Sequence, residues 1–318
     1  MMIIVLIVIA VILLLLLGAG WVFFLYTMTR KGLAMPGKPR VTDDNPDLRA
    51  WKKYRERHDA DVAWYRDQPM EEVSVTSYDG LELYGQYLPC DRPERVVICV
   101  HGYRGGAVHD FASQGRWLHA ENCALLFVTQ RGSGKSGGKY MTFGAKEKLD
   151  VRCWATYAAA RFPDFPVYLY GISMGCATVL LSSVTGLPAA VRGIIADCGF
   201  TSVRDILSAQ CRQAFHLPPE PLLPFLEFWC VLFADFRFSQ ADAKKVLPDN
   251  RIPVLFIHGE NDHFVRPENS MENYEACGSE KKLLLIPDGV HASSYYEDTP
   301  LYQNYVRSLF RGTIGEQS

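Results

Sequence analysis

An unbroken apolar segment opens the chain. Residues 3–26 are almost wholly apolar, and no charged side chain occurs between Met1 and Thr29. A membrane-spanning helix needs about 20 such residues. A cleaved signal peptide usually has a basic start and only about 7–15 apolar residues. The pattern therefore predicts a retained transmembrane anchor over residues 1–29, with a single span.

The residues that follow this segment predict its orientation. Trp21 and Tyr26 near its end fit the belt of aromatic side chains at a membrane interface. Basic side chains follow between Arg30 and Arg40, whereas nothing positive precedes the segment except the amino terminus. Because positive flanking charge tends to stay in the cytoplasm, we expect a cell-membrane protein whose main body is cytoplasmic.

From residue 71 onward, short apolar runs alternate with stretches of helical length. Residues 71–77 and 81–88 predict two strands joined at the turn Asp79-Gly80. Strands buried on both faces are predicted at 96–100, 125–128, 167–170, 193–196, 254–257 and 283–286. Helices are predicted between them at 105–121, 145–162, 175–183, 267–276 and 300–311. This alternation predicts an α/β domain over residues 71–312, with a mostly parallel sheet covered by helices on both faces, and a tail at 313–318.

Two segments depart from the alternation. Residues 30–70 are polar and charged, and we interpret them as a linker in which residues 51–64 form an amphipathic or solvated helix. Residues 200–250 are rich in aromatic residues and proline, without a convincing strand. Inserted helices that cap the active edge of the sheet explain this best. A second membrane contact is the alternative, although residues 222–234 contain Glu227 and are too short to span a bilayer.

Composition narrows the possible functions. Hydrophobic residues make up 48% of the 318 residues, which suits a folded globular body. The formal net charge of −2 gives no reason to expect nucleic acid as a partner. The nine cysteines are scattered without CxxC pairs, so we expect free thiols and neither a disulfide framework nor a metal site.

A candidate nucleophile lies between a predicted strand and a predicted helix. Residues 171–175 read Gly-Ile-Ser-Met-Gly and follow the strand at 167–170. In a tight strand-to-helix turn, glycines two residues on either side of a serine relieve steric clashes and leave its hydroxyl exposed at the sheet edge. We therefore predict Ser173 as the nucleophile; the alternative is a serine that merely caps a helix.

The serine needs a base and an acid. His291 follows the last predicted strand at the same sheet edge. It comes after the serine and the acid, which is the chain order found where a serine occupies such a strand-to-helix turn. Asp262 follows the strand at 254–257 and is our predicted acid. Glu260 is a nearby rival, and Asp197, which also follows a strand, is a stronger one.

Two backbone amides complete the predicted site. One donor to the oxyanion is the amide of Met174, directly after the nucleophile. The other is the amide of Tyr103, in the glycine-rich loop 101–106 that follows the strand at 96–100. His101, at the start of that loop, is interpreted as structural.

Together these motifs resemble the α/β-hydrolase superfamily over roughly residues 73–310. The motifs, in the family's order, are His-Gly at 101–102, Arg-Gly-Ser-Gly-Lys-Ser at 131–136, Gly-Ile-Ser-Met-Gly at 171–175, and His-Gly at 258–259 with Asp262 and His291. Within the superfamily the chain looks like bacterial hydrolases grouped with the yeast Bem46 type and the short prolyl-oligopeptidase-like proteins. Many relatives carry an aspartate where this chain has Thr129, a position that the resemblance makes structural.

The resemblance and the predicted site both imply acyl transfer to water. The first hypothesis is a serine hydrolase that cleaves carboxylic esters with apolar acyl groups through an acyl-enzyme, without a cofactor or metal. The second is a serine peptidase that acts on short peptides, because the same triad cleaves both bonds. The third is a catalytically silent, membrane-tethered binding protein that reuses the fold.

Overall fold

One long helix, α1 (Met2–Met28), opens the computed structural model, which describes residues 1–32, 46–214 and 216–315. Within those residues α1 is the one helix long and apolar enough to cross a membrane, and its most apolar stretch is not buried against the rest of the chain. This fits a single-pass anchor or an N-terminal signal sequence. The last two turns differ, because Phe23, Phe24 and Met28 are buried in the body of the protein.

Eight strands form one sheet at the centre of that body. They are β1 (Glu71–Thr76), β2 (Glu82–Leu88), β3 (Arg95–Val100), β4 (Cys123–Val128), β5 (Val167–Ile172), β6 (Val191–Asp197), β7 (Val254–Gly259) and β8 (Lys281–Ile286). Their order across the sheet is β1-β2-β4-β3-β5-β6-β7-β8. Only β2 pairs antiparallel with its neighbours β1 and β4; every other pair is parallel. All eight predicted strands are confirmed, and the mostly parallel sheet is as predicted.

Helices cover both faces of the sheet. They are α2 (Pro46–Trp51), α3 (Arg55–Arg66), α4 (Ala107–Ala120), α5 (Glu147–Arg161), α6 (Met174–Ser182), α7 (Val203–Ala214), α8 (Leu222–Trp229), α9 (Ala243–Val246), α10 (Glu268–Ala276), α11 (Ser294–Glu297) and α12 (Thr299–Arg311). Alternate residues of β3 pack on opposite sides: Val96 and Ile98 contact the layer that contains α5 and α6, and Val97 contacts the layer that contains α4 and α12. The strands therefore read as continuous apolar runs, because both faces are buried.

The helix predicted at 51–64 forms, and it is not fully solvated. Asp61 of α3 is buried and accepts a hydrogen bond from Arg116 of α4 at 3.0 Å. Tyr65 packs in the core beneath α4 and donates to Gln86 of β2 at 3.0 Å. This half of the predicted linker therefore belongs to the packed body. Residues 33–45, the other part of that prediction, lie outside the described residues.

The segment predicted as a cap is helical where it is described. Residues 200–250 contain α7, α8, a π-helical turn (Cys230–Ala234) and α9, with no strand beyond one isolated bridge among the described residues. Their apolar side chains form a cluster with Met174 of α6 and with the buried end of α1. The main contributors from this segment are Phe200, Val203, Leu207, Leu223, Leu226 and Phe236. The segment thus packs beside the turn that carries Ser173, and its role as a cap remains a prediction.

The C-terminal half of α1 packs closely on α8. Gly20 contacts the backbone of Phe225, so that a Cβ atom at residue 20 would lie 2.8 Å from the Phe225 Cβ. The indole N–H of Trp229 donates to the Leu17 carbonyl at 2.9 Å. The Trp21 ring lies 5.0 Å from that of Trp229, centroid to centroid. Through these contacts the C-terminal half of α1 packs as part of the folded body.

Substituting leucine at two glycines of α1 tests this packing. Gly20→Leu should displace α8 and lower the free energy of unfolding by about 1–3 kcal/mol, as overpacking of a close contact does. Gly18→Leu is the matched control, because a Cβ atom there meets nothing within 4 Å. Thermal unfolding of the detergent-solubilised full chain should show a lower Tm for Gly20→Leu alone. Equal Tm values for both variants would contradict the docking of α1.

Candidate active site

Ser173 lies in a strained turn between β5 and α6. Its backbone has φ 56° and ψ −118°, a region that a residue other than glycine rarely adopts. The two glycines predicted to permit this turn have no room for a side chain. A Cβ atom at Gly171 would lie 2.3 Å from the Gly175 carbonyl oxygen, and one at Gly175 would lie 1.8 Å from the Val100 oxygen. The local sequence thus exposes the serine at the carboxyl edge of the sheet, where sites of parallel sheets are found.

The structure brings the three predicted side chains into one hydrogen-bonded chain. The Nε2 atom of His291 lies 3.0 Å from the Ser173 Oγ, and its Nδ1 atom lies 2.7 Å from Oδ2 of Asp262. The other carboxylate oxygen of Asp262 accepts from the backbone N–H groups of Phe264 and Val265, at 2.9 and 2.8 Å. Such an arrangement can take a proton from the serine and stabilise the resulting imidazolium.

Electrostatics favour a charged pair at Asp262 and His291. Burial alone would raise the pKa of Asp262, but the charge of His291 and the hydrogen bonds from His258 and His291 outweigh it, so the pKa falls well below its usual value. Burial alone would lower the pKa of His291, yet the carboxylate of Asp262 raises it above the ordinary value. Asp262 therefore stays ionised and strengthens His291 as a base.

The raised pKa of His291 predicts a pH dependence of turnover. A general base must be neutral to accept a proton, so activity should fall as the pH falls through the pKa of His291. Because that pKa is raised, the acid limb of kcat/KM should lie above about pH 6.5, the ordinary value for histidine. A pH profile of kcat/KM on an ester substrate measures this directly. A limb at or below the ordinary histidine value would contradict the raised pKa of His291, because burial would then outweigh the effect of Asp262.

The two rival acids do not hold the base in the described part of the chain. Asp197 is buried at the end of β6, and its Oδ2 accepts from the Tyr302 hydroxyl at 2.8 Å. Burial raises the pKa of Asp197 to about 6, a value far less suited to a permanent negative charge than that of Asp262. Glu260 is exposed at the surface. Of the three carboxylates, the one hydrogen-bonded to His291 is Asp262.

The loop that carries Tyr103 lies directly against the nucleophile. A Cβ atom at Gly102 would lie 3.3 Å from the Cβ of Ser173, a tight contact that would push the loop or the nucleophile aside by a few tenths of an ångström. Asp110 of α4 accepts from the Gly102 N–H at 2.6 Å. His101 is buried and accepts through Nε2 from the backbone N–H of Gln130 at 3.1 Å, which supports its structural interpretation. The amides of Tyr103 and Met174, the predicted oxyanion donors, follow Gly102 and Ser173 directly in the chain.

Several contacts around the site were not predicted. Asp110, which orients Gly102, gave no signal in the sequence, because it lies in an ordinary helical pattern. His258 lies 3.2 Å from Asp262 through Nε2, and its position in a His-Gly pair after a strand is a signal that could have identified it. The indole N–H of Trp51 donates to the carbonyl oxygen of His291 at 2.9 Å. That contact joins residues 240 positions apart, which no local pattern reveals.

Cys198 lies beside the acid and the base. One donor atom each from Cys198, Asp262 and His291 lie within 4.8 Å of one another, a spacing that also suits a metal ion. Metal binding would require a thiolate, whereas burial raises the pKa of the Cys198 thiol well above its ordinary value. Asp262 and His291 are also hydrogen-bonded to each other. The group therefore fits a proton-transfer site better than a metal centre.

Sequence comparisons place the chain among serine hydrolases. Residues 91–224 match a family described as serine aminopeptidase, S33, and residues 198–292 match a serine hydrolase (FSH1) family. The uncharacterized protein YqkD of Bacillus subtilis is 27% identical over 237 residues, covering 74% of this chain and 77% of YqkD. Protein bem46 of Schizosaccharomyces pombe is 25% identical over 215 residues, covering 67% of this chain and 64% of bem46. The resemblance inferred from the motifs is confirmed.

Solved structures give the fold. An esterase from Pyrococcus furiosus matches this chain with a TM-score of 0.62 at 22% identity, covering 80% of this chain and 94% of the esterase. At that identity the likeness shows the fold alone. The fold is the α/β-hydrolase fold, as predicted.

Proposed function

We propose that this chain, which is a serine hydrolase of the α/β-hydrolase type, cleaves carboxylic esters with apolar acyl groups. The proposal places Ser173 as nucleophile, His291 as base and Asp262 as the acid that orients it. The observation that carries the proposal is the hydrogen-bonded chain from Ser173 Oγ through His291 to Asp262, with distances of 3.0 and 2.7 Å. Hydrolases of this type act on small-molecule substrates.

In the first half-reaction, Ser173 Oγ attacks the carbonyl carbon of the ester and its proton passes to Nε2 of His291. The negative charge of Asp262 stabilises the imidazolium that forms. The carbonyl oxygen becomes an oxyanion, which the N–H groups of Tyr103 and Met174 stabilise by hydrogen bonding. The tetrahedral intermediate then collapses, the alcohol leaves with the proton from His291, and an acyl group remains on Ser173.

In the second half-reaction, water takes the place of the alcohol. His291 removes a proton from the water, and the hydroxyl attacks the acyl carbon of the acyl-enzyme. A second oxyanion forms at the same two amides. Its collapse returns the proton from His291 to Ser173 Oγ and releases the carboxylic acid. No step requires a group beyond the side chains, amides and water named here.

The surroundings of the site support an apolar acyl group. The Tyr103 ring stacks on Phe143 at 5.2 Å between centroids, and Met174 packs in the cluster that also contains Phe200 and Phe24. The loop beside the nucleophile and the helix that follows it thus contact a cluster of aromatic and aliphatic side chains.

The position in the cell is part of the proposal. We propose that α1 is retained as a single-pass anchor in the cell membrane, because its apolar stretch is long enough to span a bilayer and exceeds the apolar length of a usual signal peptide. The basic residues after it favour a cytoplasmic catalytic domain over residues 71–312. The helices of residues 200–250 would then form a cap beside the site, at the membrane.

A peptidase is the second candidate, favoured by the description serine aminopeptidase for the family that matches residues 91–224. A peptide bond has a poorer leaving group than an ester, so the site would need contacts that bind the peptide on both sides of the scissile bond. A silent binding protein is the third candidate, and the hydrogen-bonded triad argues against it.

A paired substrate series separates these functions. Purified full-length protein is assayed on p-nitrophenyl esters of increasing acyl length and on p-nitroanilides of amino acids and short peptides, with Ser173→Ala as the control. The proposal predicts that kcat/KM on the esters rises with acyl length and that it exceeds kcat/KM on every anilide. Higher kcat/KM on a peptide anilide would favour the peptidase, and absence of turnover on both series would favour the binding protein.

A further inference from the structure

The segment formed by α8 and the π-helical turn, Leu222–Ala234, exposes an apolar surface. Its exposed side chains are Phe228 at 49%, Val231 at 37%, Leu232 at 59% and Phe233 at 45% of their full accessibility. The one charged residue within the segment, Glu227, is turned toward the body, where it accepts from the Phe238 N–H at 2.9 Å. A contiguous apolar surface of this kind on a folded protein marks an interaction site.

The level of α1 at which this segment packs indicates what covers its exposed surface. A membrane-spanning stretch of about 20 residues placed anywhere within Met2–Met28 includes both Leu17 and Gly20. Those two residues therefore lie in the hydrocarbon layer in every register of the helix. This step rests on the proposed retention of α1 as a membrane anchor.

Leu222–Ala234 contacts α1 at those same residues. Trp229 donates to the Leu17 carbonyl at 2.9 Å, and the backbone of Phe225 lies against Gly20. The Phe233 ring lies 5.1 Å from that of Trp21. A segment that touches Leu17 and Gly20 directly is at the same depth as they are, so its outer face cannot be in bulk water while they are in hydrocarbon.

We propose that Leu222–Ala234 is immersed in the same membrane leaflet as the end of α1, with its exposed face against lipid acyl chains. The segment enters and leaves on the same side, because it is too short to span a bilayer. Its helical backbone satisfies its own hydrogen bonds, as a lipid-exposed segment must. Exposed charged residues lie just outside both ends, at Glu220 and Asp235, where lipid headgroups would meet them.

The sequence suggested either a cap or a second membrane contact for this segment. On this proposal each interpretation applies to a different face of Leu222–Ala234. Leu223 and Leu226, on the buried face, pack in the cluster that contains Met174, next to the nucleophile. Phe228 and Leu232, on the exposed face, meet the lipid. The segment would be a cap on its inner side and a membrane contact on its outer side.

Site-directed photo-crosslinking to lipid tests the proposal. p-Benzoylphenylalanine is placed at Leu232 in the full-length chain, which is reconstituted into phosphatidylcholine nanodiscs and irradiated. Lipid adducts are then measured by mass spectrometry. Ile9 of α1 is the positive control, and Val184 is the matched negative control, because it is 40% exposed and follows α6 at the opposite end from Ser173. Phe228 serves as a second probe position if the Leu232 variant is poorly folded.

The proposal predicts at least about tenfold more lipid adduct at Leu232 than at Val184, and a yield similar to that at Ile9, because acyl chains are the main C–H partners in the hydrocarbon layer. Adduct at Ile9 with only background at Leu232 and Phe228 would overturn the proposal while leaving the anchor intact. Background at Ile9 as well would overturn the anchor itself. Cross-links from Leu232 to a second copy of the chain, in place of lipid, would assign the surface to a protein interface and also overturn the proposal.

Discussion

Replacing Asp262 with asparagine should lower kcat on a carboxylic ester by about 10⁴-fold, the loss found when the acid of a serine triad becomes an amide. The Oδ2 atom of Asp262 lies 2.7 Å from Nδ1 of His291, and its charge raises the pKa of that histidine. An amide removes the charge and can hold His291 in the wrong tautomer. Steady-state kinetics on a p-nitrophenyl ester, with the fold checked by circular dichroism, measure the effect.

Asp197→Asn is the matched control for this substitution. Asp197 is also a buried carboxylate at a strand end, but its hydrogen bond is to the Tyr302 hydroxyl at 2.8 Å. We expect this variant to change mainly the stability, with kcat within a few-fold of wild type. The opposite pattern, with a large loss of kcat for Asp197→Asn and a small one for Asp262→Asn, would reassign the acid.

Gly175→Ala should be the most damaging single methyl addition around the nucleophile. A Cβ atom at residue 175 would lie 1.8 Å from the carbonyl oxygen of Val100, and 2.7 Å from that of His101. These atoms belong to β3 and to the start of the loop that carries Tyr103, so relief of the clash must move the turn or the loop. Overpacking of a tight site usually costs about 1–3 kcal/mol, and this clash with backbone atoms is severe. We therefore expect the free energy of unfolding to fall by about 3 kcal/mol or more, together with loss of activity.

Gly106→Ala provides the comparison for this glycine. It lies at the other end of the same loop, its backbone is extended with φ −173°, and a Cβ atom there meets nothing within 4 Å. Chemical denaturation and ester turnover should therefore be near wild type for Gly106→Ala. Equal behaviour of the two variants would contradict the close approach of the turn to β3.

Helix α1 and the residue after it have contacts with the site that the apolar pattern of α1 does not suggest. The Tyr103 hydroxyl donates to the carbonyl oxygen of Thr27 at 2.8 Å, and the guanidinium of Arg104 donates to that of Thr29 at 3.2 Å. Both residues belong to the loop that lies against Ser173. The end of α1 thus helps to hold the loop that carries one of the proposed oxyanion donors. A chain from which residues 1–29 are removed would lose these contacts as well as its apolar segment.

The sequence predicts well what depends on neighbouring residues. Strands such as β3 and β4 are buried on both faces, so their apolar runs are continuous and easily recognised. The turn at Ser173 is recognisable because only glycine fits at residues 171 and 175. His291 and Asp262 could be placed near it, since the carboxyl ends of parallel strands meet at one edge of the sheet.

Contacts between distant segments could not be predicted in the same way. Nothing near Trp51 indicates that its indole reaches His291, and nothing in the apolar pattern of α1 indicates that Gly20 packs on Phe225. Half of the residues in the helix at 55–66 are charged, so its pattern suggests solvation, although Asp61 and Tyr65 are buried against the body. Such contacts depend on the tertiary arrangement, which a single sequence does not encode in a local pattern.

Labelling of the purified full-length protein with a fluorophosphonate tests the proposed nucleophile most directly, because the reagent modifies an activated serine whatever the natural substrate is. Ser183→Ala is the matched control, since Ser183 caps the end of the helix that follows Ser173 and donates to the Leu180 carbonyl. Wild type and Ser183→Ala should be labelled, and Ser173→Ala should not. A folded wild-type protein without label, or label that persists in Ser173→Ala, would contradict the assignment of Ser173 as the nucleophile.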